Sequence, residues 1–565
     1  MNTNKISALI LAKLFAKKGG KYVVISPGSR NAPLTIAFQK VKEITCLSIP
    51  DERSAGFVAL GIAKSKNEMV GLVCTSGSAL TNYFPAVIEA DFQNIPIVVM
   101  SADRPEKWID QGIGQSIYQK EIFGNYVKCF HHFDDGLVTD QNLWDMNRRI
   151  NESFLKALSI PKGPVHLNLA YSEPLYDQVE TSLPEGAFRE IELQSQSRIL
   201  EKRGYDQLNE IWLKAERVLI LCGVLAPSKK LLDLLTKMER LKGVVVLHET
   251  TSNLPPSLGI GSIDQALECL PSQMDFKPDL LITIGHHIVS KRVKSFLNDK
   301  SIHNHWQVSE GGEMVDTFQR LTAIIPTTPE DFFSGLLLES TTQTTFQNKW
   351  FKVRDKAQAA HTSFIKQTEF SDLLSFQLLL GAVPTGFHLE LANSSVIRYA
   401  QLFSDRKWDS CSSNRGASGI EGSTSTAIGH CLGSKKNTVL ITGDISFFYD
   451  SNALWNHHIP NNFRIILINN SGGGIFRYIP GPQSVENFEE FFETQHQLSA
   501  SGICQTHGVA YSSCDSVPSL KGELDSFFKD TRKGPSLLEV FTPRERNDKV
   551  LHEYFRFIKD FTAIE

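Results

Sequence analysis

TVLITGD at positions 438–444 and RIILINNSGGG at positions 464–474 are two short apolar runs that each end in small or polar residues. Apolar runs of this length, bounded by turn residues, are typical of buried parallel strands. Parallel strands have their carboxyl ends at one edge of the sheet, where ligands bind. We therefore expect Asp444, Asn470 and the glycines that follow Asn470 to lie together at such an edge.

Similar apolar runs recur along the whole chain and alternate with helical patterns. They fall into three groups, at 22–25, 70–73, 95–100 and 165–169, then at 218–221, 244–247 and 280–284, and finally at 438–442, 464–468 and 537–541. Strands that alternate with helices indicate α/β domains with parallel sheets. The sequence therefore predicts three consecutive α/β domains.

Two polar stretches separate these groups. An irregular segment at 180–197 and a Ser/Thr/Gln-rich break at 340–345 are typical of linkers, and a helical pattern follows at 350–368. The predicted domains are residues 1–182, 183–350 and 351–565.

Composition narrows the class of protein. The 565 residues include 58 Lys and Arg against 62 Asp and Glu, so no overall basic field favours nucleic acid or anionic membrane as a partner. Nine scattered cysteines without a Cys-x-x-Cys pair argue against a disulfide framework or structural zinc and favour the reducing cytoplasm. The apolar run at 6–16 contains Lys13 and predicts an amphipathic helix rather than a signal peptide, and no stretch approaches the ~20 apolar residues of a membrane span. Small-molecule partners are expected.

Asp444 and Asn470 stand 26 positions apart, each directly after a predicted strand. A carboxylate and an amide oxygen are hard ligands of the kind that Mg²⁺ prefers, and Mg²⁺ commonly also holds phosphates. Gly472 and Gly473 would let the backbone approach a diphosphate. The alternative is two independent strand-end turns, since Asp, Asn and Gly are ordinary turn residues.

This pair of segments is similar to the diphosphate-and-magnesium motif of the thiamine-diphosphate enzyme superfamily, although Ile445 stands where the superfamily usually has glycine. The resemblance implies three domains, namely pyrimidine-binding, central and diphosphate-binding. It also implies that Asp444, Asn470 and the Gly472 carbonyl bind Mg²⁺ or Mn²⁺. Ser446, Gly473, Ile475 and Phe476 belong to the implied cofactor pocket.

Two further positions match the superfamily. Glu52, in Asp-Glu-Arg after Ile49-Pro50, matches the glutamate that hydrogen-bonds the aminopyrimidine ring of the cofactor, and Ile420 matches the residue that props the cofactor in its bent form. The alternatives are a charged helix start for Glu52 and a core position for Ile420. Because Glu52 and Asp444 lie in different domains, the resemblance implies a homodimer or homotetramer whose active sites form at the subunit interface.

Basic residues occupy nearly every candidate site loop. The planar fork of arginine suits carboxylates, so several such residues indicate polyanionic substrates, whereas each one alone could be a surface ion-pair residue. They are Arg30, Arg104, Lys291, Arg292, Arg398 and Arg415.

The segments around these residues resemble those of the 2-succinyl-5-enolpyruvyl-6-hydroxy-3-cyclohexene-1-carboxylate (SEPHCHC) synthase family, also called MenD, over essentially the full length. They are PGSRNAPL at 27–34, SADRP at 101–105, SKR at 290–292, NSSVIR at 393–398 and SNRGASG at 413–419. The resemblance implies a transferase of menaquinone biosynthesis that joins 2-oxoglutarate, after loss of carbon dioxide, to isochorismate by 1,4-addition.

By the same resemblance, Ser394, Arg398 and Arg415 would hold the part derived from 2-oxoglutarate. Isochorismate would be held by Ser29, Arg30, Arg104, Lys291 and Arg292. Gln115 would orient a water molecule or a carboxylate for proton transfer.

Three other functions are alternatives. An acetolactate-type synthase would use pyruvate and needs fewer basic side chains. A non-catalytic Rossmann-like binding protein would not need Glu52 or Asp444. A nicotinamide dehydrogenase needs a Gly-x-Gly-x-x-Gly turn after a strand, and the glycines at 472–474 lack that spacing.

Overall fold

The computed structural model describes residues 1–136, 139–180, 183, 188–194, 200–337, 345–404, 406–529 and 534–561. Half of the predicted linker at 180–197 and all of that at 340–345 except Thr345 lie outside the described residues. None of the described helices has the length and apolar character needed to cross a membrane. The described residues form three parallel sheets in succession, which confirms the three predicted α/β domains.

The first sheet has the strand order β3-β2-β4-β5-β7-β6, and the short strands β1 and β8 pair antiparallel beside it. All neighbouring strands within this six-stranded sheet are parallel. The strands are β1 (Asn2–Thr3), β2 (Tyr22–Ile25), β3 (Thr45–Ser48), β4 (Val70–Cys74), β5 (Ile97–Asp103), β6 (Phe130–Phe133), β7 (Val165–Ala170) and β8 (Gln178–Val179). The helices are α1 (Ile6–Lys17), α2 (Ala32–Gln39), α3 (Glu52–Lys66), α4 (Ser78–Asn82), α5 (Phe84–Phe92) and α6 (Asp140–Leu158).

The second sheet has five parallel strands in the order β10-β9-β11-β12-β13. Its strands are β9 (Val218–Cys222), β10 (Val244–His248), β11 (Leu280–Ile284), β12 (Asn304–Val308) and β13 (Ala323–Ile325). Its helices are α7 (Lys202–Trp212), α8 (Lys229–Glu239), α9 (Ile263–Glu268), α10 (Lys291–Leu297) and α11 (Pro329–Gly335).

The third sheet has six parallel strands in the order β15-β14-β16-β17-β19-β18. The strands are β14 (Phe387–Leu391), β15 (Ser410–Ser412), β16 (Asn437–Gly443), β17 (Phe463–Asn469), β18 (Ala510–Cys514) and β19 (Ser536–Phe541). The helices are α12 (Phe346–Gln367), α13 (Asp372–Ala382), α14 (Ser395–Ala400), α15 (Ser423–Ser434), α16 (Asp444–Tyr449), α17 (Ile475–Tyr478), α18 (Ser501–His507), α19 (Val517–Phe527) and α20 (Arg544–Phe561).

Helix α3 of the first domain packs against helix α15 of the third domain, with their backbones in close contact. A Cβ atom on Gly61 of α3 would lie 2.1 Å from the Thr426 carbonyl oxygen, and one on Gly429 of α15 would lie 2.1 Å from the Val58 carbonyl oxygen. Only glycine permits such an approach of two helix backbones. This contact fixes α3, which begins at Glu52, against the third domain.

Buried neutral histidines predict a loss of stability in acid. Burial lowers the pKa of His166 to about 3, and that of His248 likewise. The Nε2 atom of His166 lies 2.7 Å from Ser101 Oγ, whereas its Nδ1 is buried without a partner among the described atoms. Protonation at Nδ1 would therefore place an unpaired charge in the core.

The unfolded chain takes up protons near pH 6.5 and the folded chain does not, so stability is complete above that pH and falls as the pH falls. Between pH 7 and pH 5 we expect the free energy of unfolding to drop by about 2 kcal/mol for each such histidine. Urea denaturation midpoints at the two pH values measure this drop. His166→Asn should show a smaller drop, while the exposed His303→Asn should match the parent chain; an equal drop in both variants would contradict the assignment.

Candidate active site

A cavity of about 410 Å³ opens at the carboxyl ends of β14, β16 and β17. This is the sheet edge where the sequence predicts ligand binding. The predicted site residues that line the cavity are Ser394, Arg398, Arg415, Ile420, Asp444, Ser446, Asn470, Gly472, Gly473, Ile475 and Phe476.

Asp444 and Asn470 present oxygen atoms to this cavity. The Gly472 N–H donates to Asp444 Oδ2 (3.0 Å), and the Ile445 N–H donates to Asp444 Oδ1 (2.7 Å). Asn470 Nδ2 donates to Asp372 Oδ2 (3.0 Å), which leaves Asn470 Oδ1 buried without a partner among the described atoms. A buried amide oxygen without a donor fits a cation ligand, because an unsatisfied buried acceptor is otherwise costly.

The glycine turn after Asn470 is shaped by Glu493. Gly472 has a φ of 155°, and a Cβ there would lie 3.0 Å from the Glu493 carbonyl oxygen. That same oxygen accepts from the Gly473 N–H (2.5 Å). The Glu493 side chain is fully buried and accepts from Arg477 Nη2 (2.7 Å) and Arg544 Nη1 (2.9 Å). The turn is therefore anchored to a buried ion-pair network, and Gly472 and Gly473 both line the cavity.

Ile420 lies on the loop that precedes α15 and faces the same cavity. Its carbonyl oxygen accepts a hydrogen bond from Ser446 Oγ (2.6 Å), so the residue predicted to prop the cofactor is tied to the helix that begins at Asp444. Ser446 thus acts on the position of Ile420 as well as lining the cavity.

Two guanidinium groups share the cavity wall. Arg415 Nη1 donates to Asn393 Oδ1 (2.9 Å), and Arg398 Nη1 donates to the Ser394 carbonyl oxygen (2.6 Å). Burial and, next, the neighbouring Arg398 charge lower the pKa of Arg415. Ser394 has a φ of 65°, a conformation that non-glycine residues rarely adopt and that is common at functional sites. Two positive charges on the wall of one cavity indicate a site for an anion.

The basic residues at the beginning of α10 lie outside the cavity that Arg398 and Arg415 line. Arg292 pairs with Glu268 and lies 4.2 Å from the centre of the Phe555 ring. Lys291 is exposed, and neither residue lines the cavity among the described residues. Burial lowers the pKa of Lys294, one turn further on, and the charges of Arg415 and Arg398 lower it too, against the opposing charge of Glu249. The structure thus brings the beginning of α10 near the arginine pair without aiming Arg292 at it.

Glu52 occupies the first turn of α3, where Asp51 caps the helix by accepting from the Ser54 N–H (3.0 Å). Burial raises the pKa of Glu52, and the adjacent Asp51 charge raises it further. A raised pKa favours the protonated carboxylic acid, which can donate a hydrogen bond to a ring nitrogen.

A second group of predicted residues gathers at the carboxyl ends of the first sheet. Arg30 is buried, donates to the Tyr171 carbonyl oxygen (3.0 Å) and pairs with Glu173 (3.1 Å). Burial and the charge of Arg104 lower the pKa of Arg30. Ser29 Oγ lies 2.8 Å from Tyr176 Oη, and Arg104 Nη2 donates to the Gly114 carbonyl oxygen (2.8 Å), next to Gln115, which has a φ of 54°.

The predicted site therefore divides into two halves within one chain. The residues predicted to bind the diphosphate, the metal and 2-oxoglutarate share one cavity, whereas Glu52, Ser29, Arg30, Arg104 and Gln115 are not among the described residues that line it. Asp372, Glu493 and Lys294 were not predicted from the sequence. A Ser-Asp pair that begins a helix was the available signal for Asp372, but it is indistinguishable from an ordinary helix start.

Comparison with known proteins agrees with this geometry. Three thiamine pyrophosphate family models match the chain, namely the N-terminal TPP binding domain at 7–122, the middle domain at 192–382 and the C-terminal TPP binding domain at 393–540. A 2-succinyl-5-enolpyruvyl-6-hydroxy-3-cyclohexene-1-carboxylate synthase of Flavobacterium johnsoniae is 41% identical, covering 97% of this chain and 98% of the relative.

The enzymes of the same name from Christiangramia forsetii and Porphyromonas gingivalis are 42% and 38% identical, and each comparison covers at least 97% of both chains. The chain therefore belongs to the thiamine pyrophosphate enzymes and, among them, to the 2-succinyl-5-enolpyruvyl-6-hydroxy-3-cyclohexene-1-carboxylate synthase family.

Proposed function

We propose that this chain joins 2-oxoglutarate, after loss of carbon dioxide, to isochorismate by 1,4-addition and so forms SEPHCHC for menaquinone biosynthesis. Thiamine diphosphate, when bound, supplies the electron sink for the loss of carbon dioxide. The observation that carries the proposal is the pair Arg398 and Arg415 in the same cavity as Asp444 and Asn470. An acetolactate-type synthase acting on pyruvate would leave one of these cations without a substrate carboxylate.

The arginine pair suits the second carboxylate of 2-oxoglutarate. Arg415 is fixed by Asn393 and Arg398 by the Ser394 carbonyl oxygen, so the two guanidinium groups are ordered before substrate binds. Ordered donors lose less conformational entropy when they bind a ligand. Ser394, Arg398 and Arg415 accordingly orient the 2-oxoacid beside Ile420.

A divalent cation, Mg²⁺ or Mn²⁺, fits the oxygen atoms of Asp444, Asn470 and the Gly472 carbonyl. The fit rests on the unpaired Asn470 Oδ1 and on the exclusively oxygen donor set. The cation would neutralise the diphosphate, while Gly473, Ser446, Ile475 and Phe476 would contact the cofactor.

Asp372 orients Asn470 in this proposal. It is buried and accepts from Thr542 Oγ1 (2.6 Å) as well as from Asn470 Nδ2. Asp372→Asn keeps the size but replaces one of the two acceptor oxygens with an NH₂ donor, so the side chain no longer selects a single orientation of the Asn470 amide, and we expect about 10–100-fold weaker Mg²⁺ affinity. Calorimetric titration of thiamine diphosphate at increasing Mg²⁺ measures this change. The exposed Asp525→Asn is the control, and an unaltered Mg²⁺ dependence in Asp372→Asn would contradict the orienting role.

Isochorismate would contact the other half of the site. Arg30 and Arg104 form a second cation pair suited to carboxylates, with Ser29 and Gln115 beside them. Lys291 and Arg292 are proposed to contribute from α10, for which Arg292 would have to leave Glu268. Gln115 is proposed to orient a water molecule or a carboxylate for proton transfer.

A homodimer or homotetramer would complete the site. Within one chain Glu52 does not line the cavity that contains Asp444, so a second copy that presents its Glu52 there would supply the missing half. Exposed aromatic side chains near both halves support this, including Tyr118 (70% exposed) close to Gln115 and Phe491 (69%) close to Glu493. We also propose a cytoplasmic location and domain boundaries at 182/183 and 350/351, of which the second falls within α12, close to its start.

The test is carbon dioxide release from 2-oxoglutarate with thiamine diphosphate and Mg²⁺, with and without isochorismate made in situ. Release that requires all components, with the coupled product identified by mass spectrometry, is the expected result. Turnover of pyruvate without turnover of 2-oxoglutarate would overturn the proposed substrates.

A further inference from the structure

Glu89, on α5 of the first domain, contacts a loop of the third domain. Its side chain is 2% exposed. Glu89 Oε1 accepts from the Gly416 N–H (2.7 Å), and Oε2 accepts from the N–H groups of Ala417 (2.7 Å) and Ser418 (3.3 Å). Three successive N–H groups around one carboxylate form an anion-binding nest that a side chain of the protein itself occupies.

The loop held by Glu89 carries two predicted site residues. Arg415 directly precedes Gly416, and Ile420 lies two positions after Ser418. Ser418 has a φ of 66°, so the backbone at the end of the nest is in a conformation that needs support from its surroundings. Asn393 Nδ2 donates to the carbonyl oxygens of Asn414 (2.7 Å) and Gly419 (2.6 Å) and so ties both ends of the same loop to the third domain.

Close packing leaves little room for another arrangement. A Cβ on Gly416 would lie 2.8 Å from the Glu89 carbonyl oxygen and 3.0 Å from Phe92 Cβ. Gln93 Nε2 donates to Glu89 Oε1 and orients the carboxylate toward the loop. Without the carboxylate, the three N–H groups would face α5 with no acceptor, and each unmade hydrogen bond at this partly buried contact costs stability.

We propose that Glu89 is a positioning residue, which sets the loop of Arg415 and Ile420 from across the domain boundary and thereby sets the affinity for the 2-oxoacid. Its effect on substrate rests on the proposed function, whereas the contact itself does not. Because α5 belongs to the first domain and the cavity to the third, a shift between the two domains changes the placement of Arg415.

Hydrogen exchange on the unmodified, ligand-free protein tests the contact first. The N–H groups of 416–418 should exchange slowly, although their acceptor is a side chain of another domain rather than a backbone carbonyl. Mass spectrometry of overlapping peptides that cover 413–421 measures this rate. Exchange at the rate of an unprotected loop would overturn the proposal, and this outcome does not depend on any activity or on any variant folding.

Glu89→Gln then tests the consequence, because the amide keeps one acceptor and turns an NH₂ group toward the N–H donors. We expect about tenfold faster exchange at 416–418 and about tenfold higher KM for 2-oxoglutarate, with kcat and the KM for isochorismate little changed, as for one lost charge-assisted hydrogen bond. Asp91→Asn, the same chemical change two positions along α5, is the control and should alter neither. Faster exchange with an unchanged KM for 2-oxoglutarate, in a variant that turns over, would overturn the effect on substrate. Absence of turnover in the unmodified enzyme would count against the proposed function instead.

Discussion

Glu52→Gln is expected to lower kcat for carbon dioxide release by about 10²–10⁴-fold, the range of a lost general acid–base group. Burial and the Asp51 charge raise the pKa of Glu52, which favours the protonated carboxylic acid that a hydrogen bond to a ring nitrogen of the cofactor would require. The amide of glutamine has the same size and can donate a hydrogen bond, but it cannot release the proton.

Binding and turnover should therefore separate in this variant. Calorimetry should find an affinity for thiamine diphosphate within about threefold of the parent, because the diphosphate contacts lie in the other half of the site. Glu43→Gln, an exposed change in the same domain, should retain both properties. Full turnover in Glu52→Gln would contradict the assignment, while loss of cofactor binding would indicate a structural role for Glu52.

Most interior strands were predictable from the sequence, and most edge strands were not; the interior strands β12 and β14, which read NHWQV and FHLEL, were missed because polar residues interrupt them. The apolar runs at 438–442 and 464–468 became β16 and β17 in the middle of the third sheet, where both faces are covered and the sequence must be apolar. The edge strands β3, β6, β15 and β18 read TCLS, FHHF, SCS and AYSSC. Their polar character reflects partial exposure, and it hides them from a search for apolar runs.

The site was predictable where its residues follow strands and unpredictable where partners are distant in sequence. Asp444, Asn470 and the glycines of 472–474 meet because adjacent parallel strands deliver them to one edge. Asp372, which orients Asn470, lies 98 positions before it, and Glu89 lies 327 positions before Gly416. Contacts between residues so far apart in sequence depend on how helices pack against the sheets. The spacing of residues along the chain does not encode this packing. The prediction that Glu52 joins the Asp444 cavity across a subunit interface stays a prediction.

Arg398→Ala is expected to lower kcat/KM for 2-oxoglutarate by about 10²-fold, the size of a lost charge-assisted contact with a carboxylate. Arg398 lines the cavity and its Nη1 atom is held by the Ser394 carbonyl oxygen, so the remaining donors are aimed in advance. Its charge also faces Arg415, and an anion between the two relieves that repulsion. Removal of one cation leaves the substrate carboxylate with a single partner.

The fall in kcat/KM should concern only one substrate, and it should depend on the planar shape of the guanidinium group. Steady-state kinetics with each substrate varied in turn should find the KM for 2-oxoglutarate raised and that for isochorismate unchanged. Arg398→Lys keeps the charge but loses the planar fork, so its kcat/KM should fall between those of the parent and Arg398→Ala. Arg546→Ala, which removes an arginine paired with Glu369 outside the cavity, is the control. A raised KM for isochorismate alone would place Arg398 with the other substrate, because loss of a guanidinium that binds a carboxylate raises the KM of the substrate that carries this carboxylate.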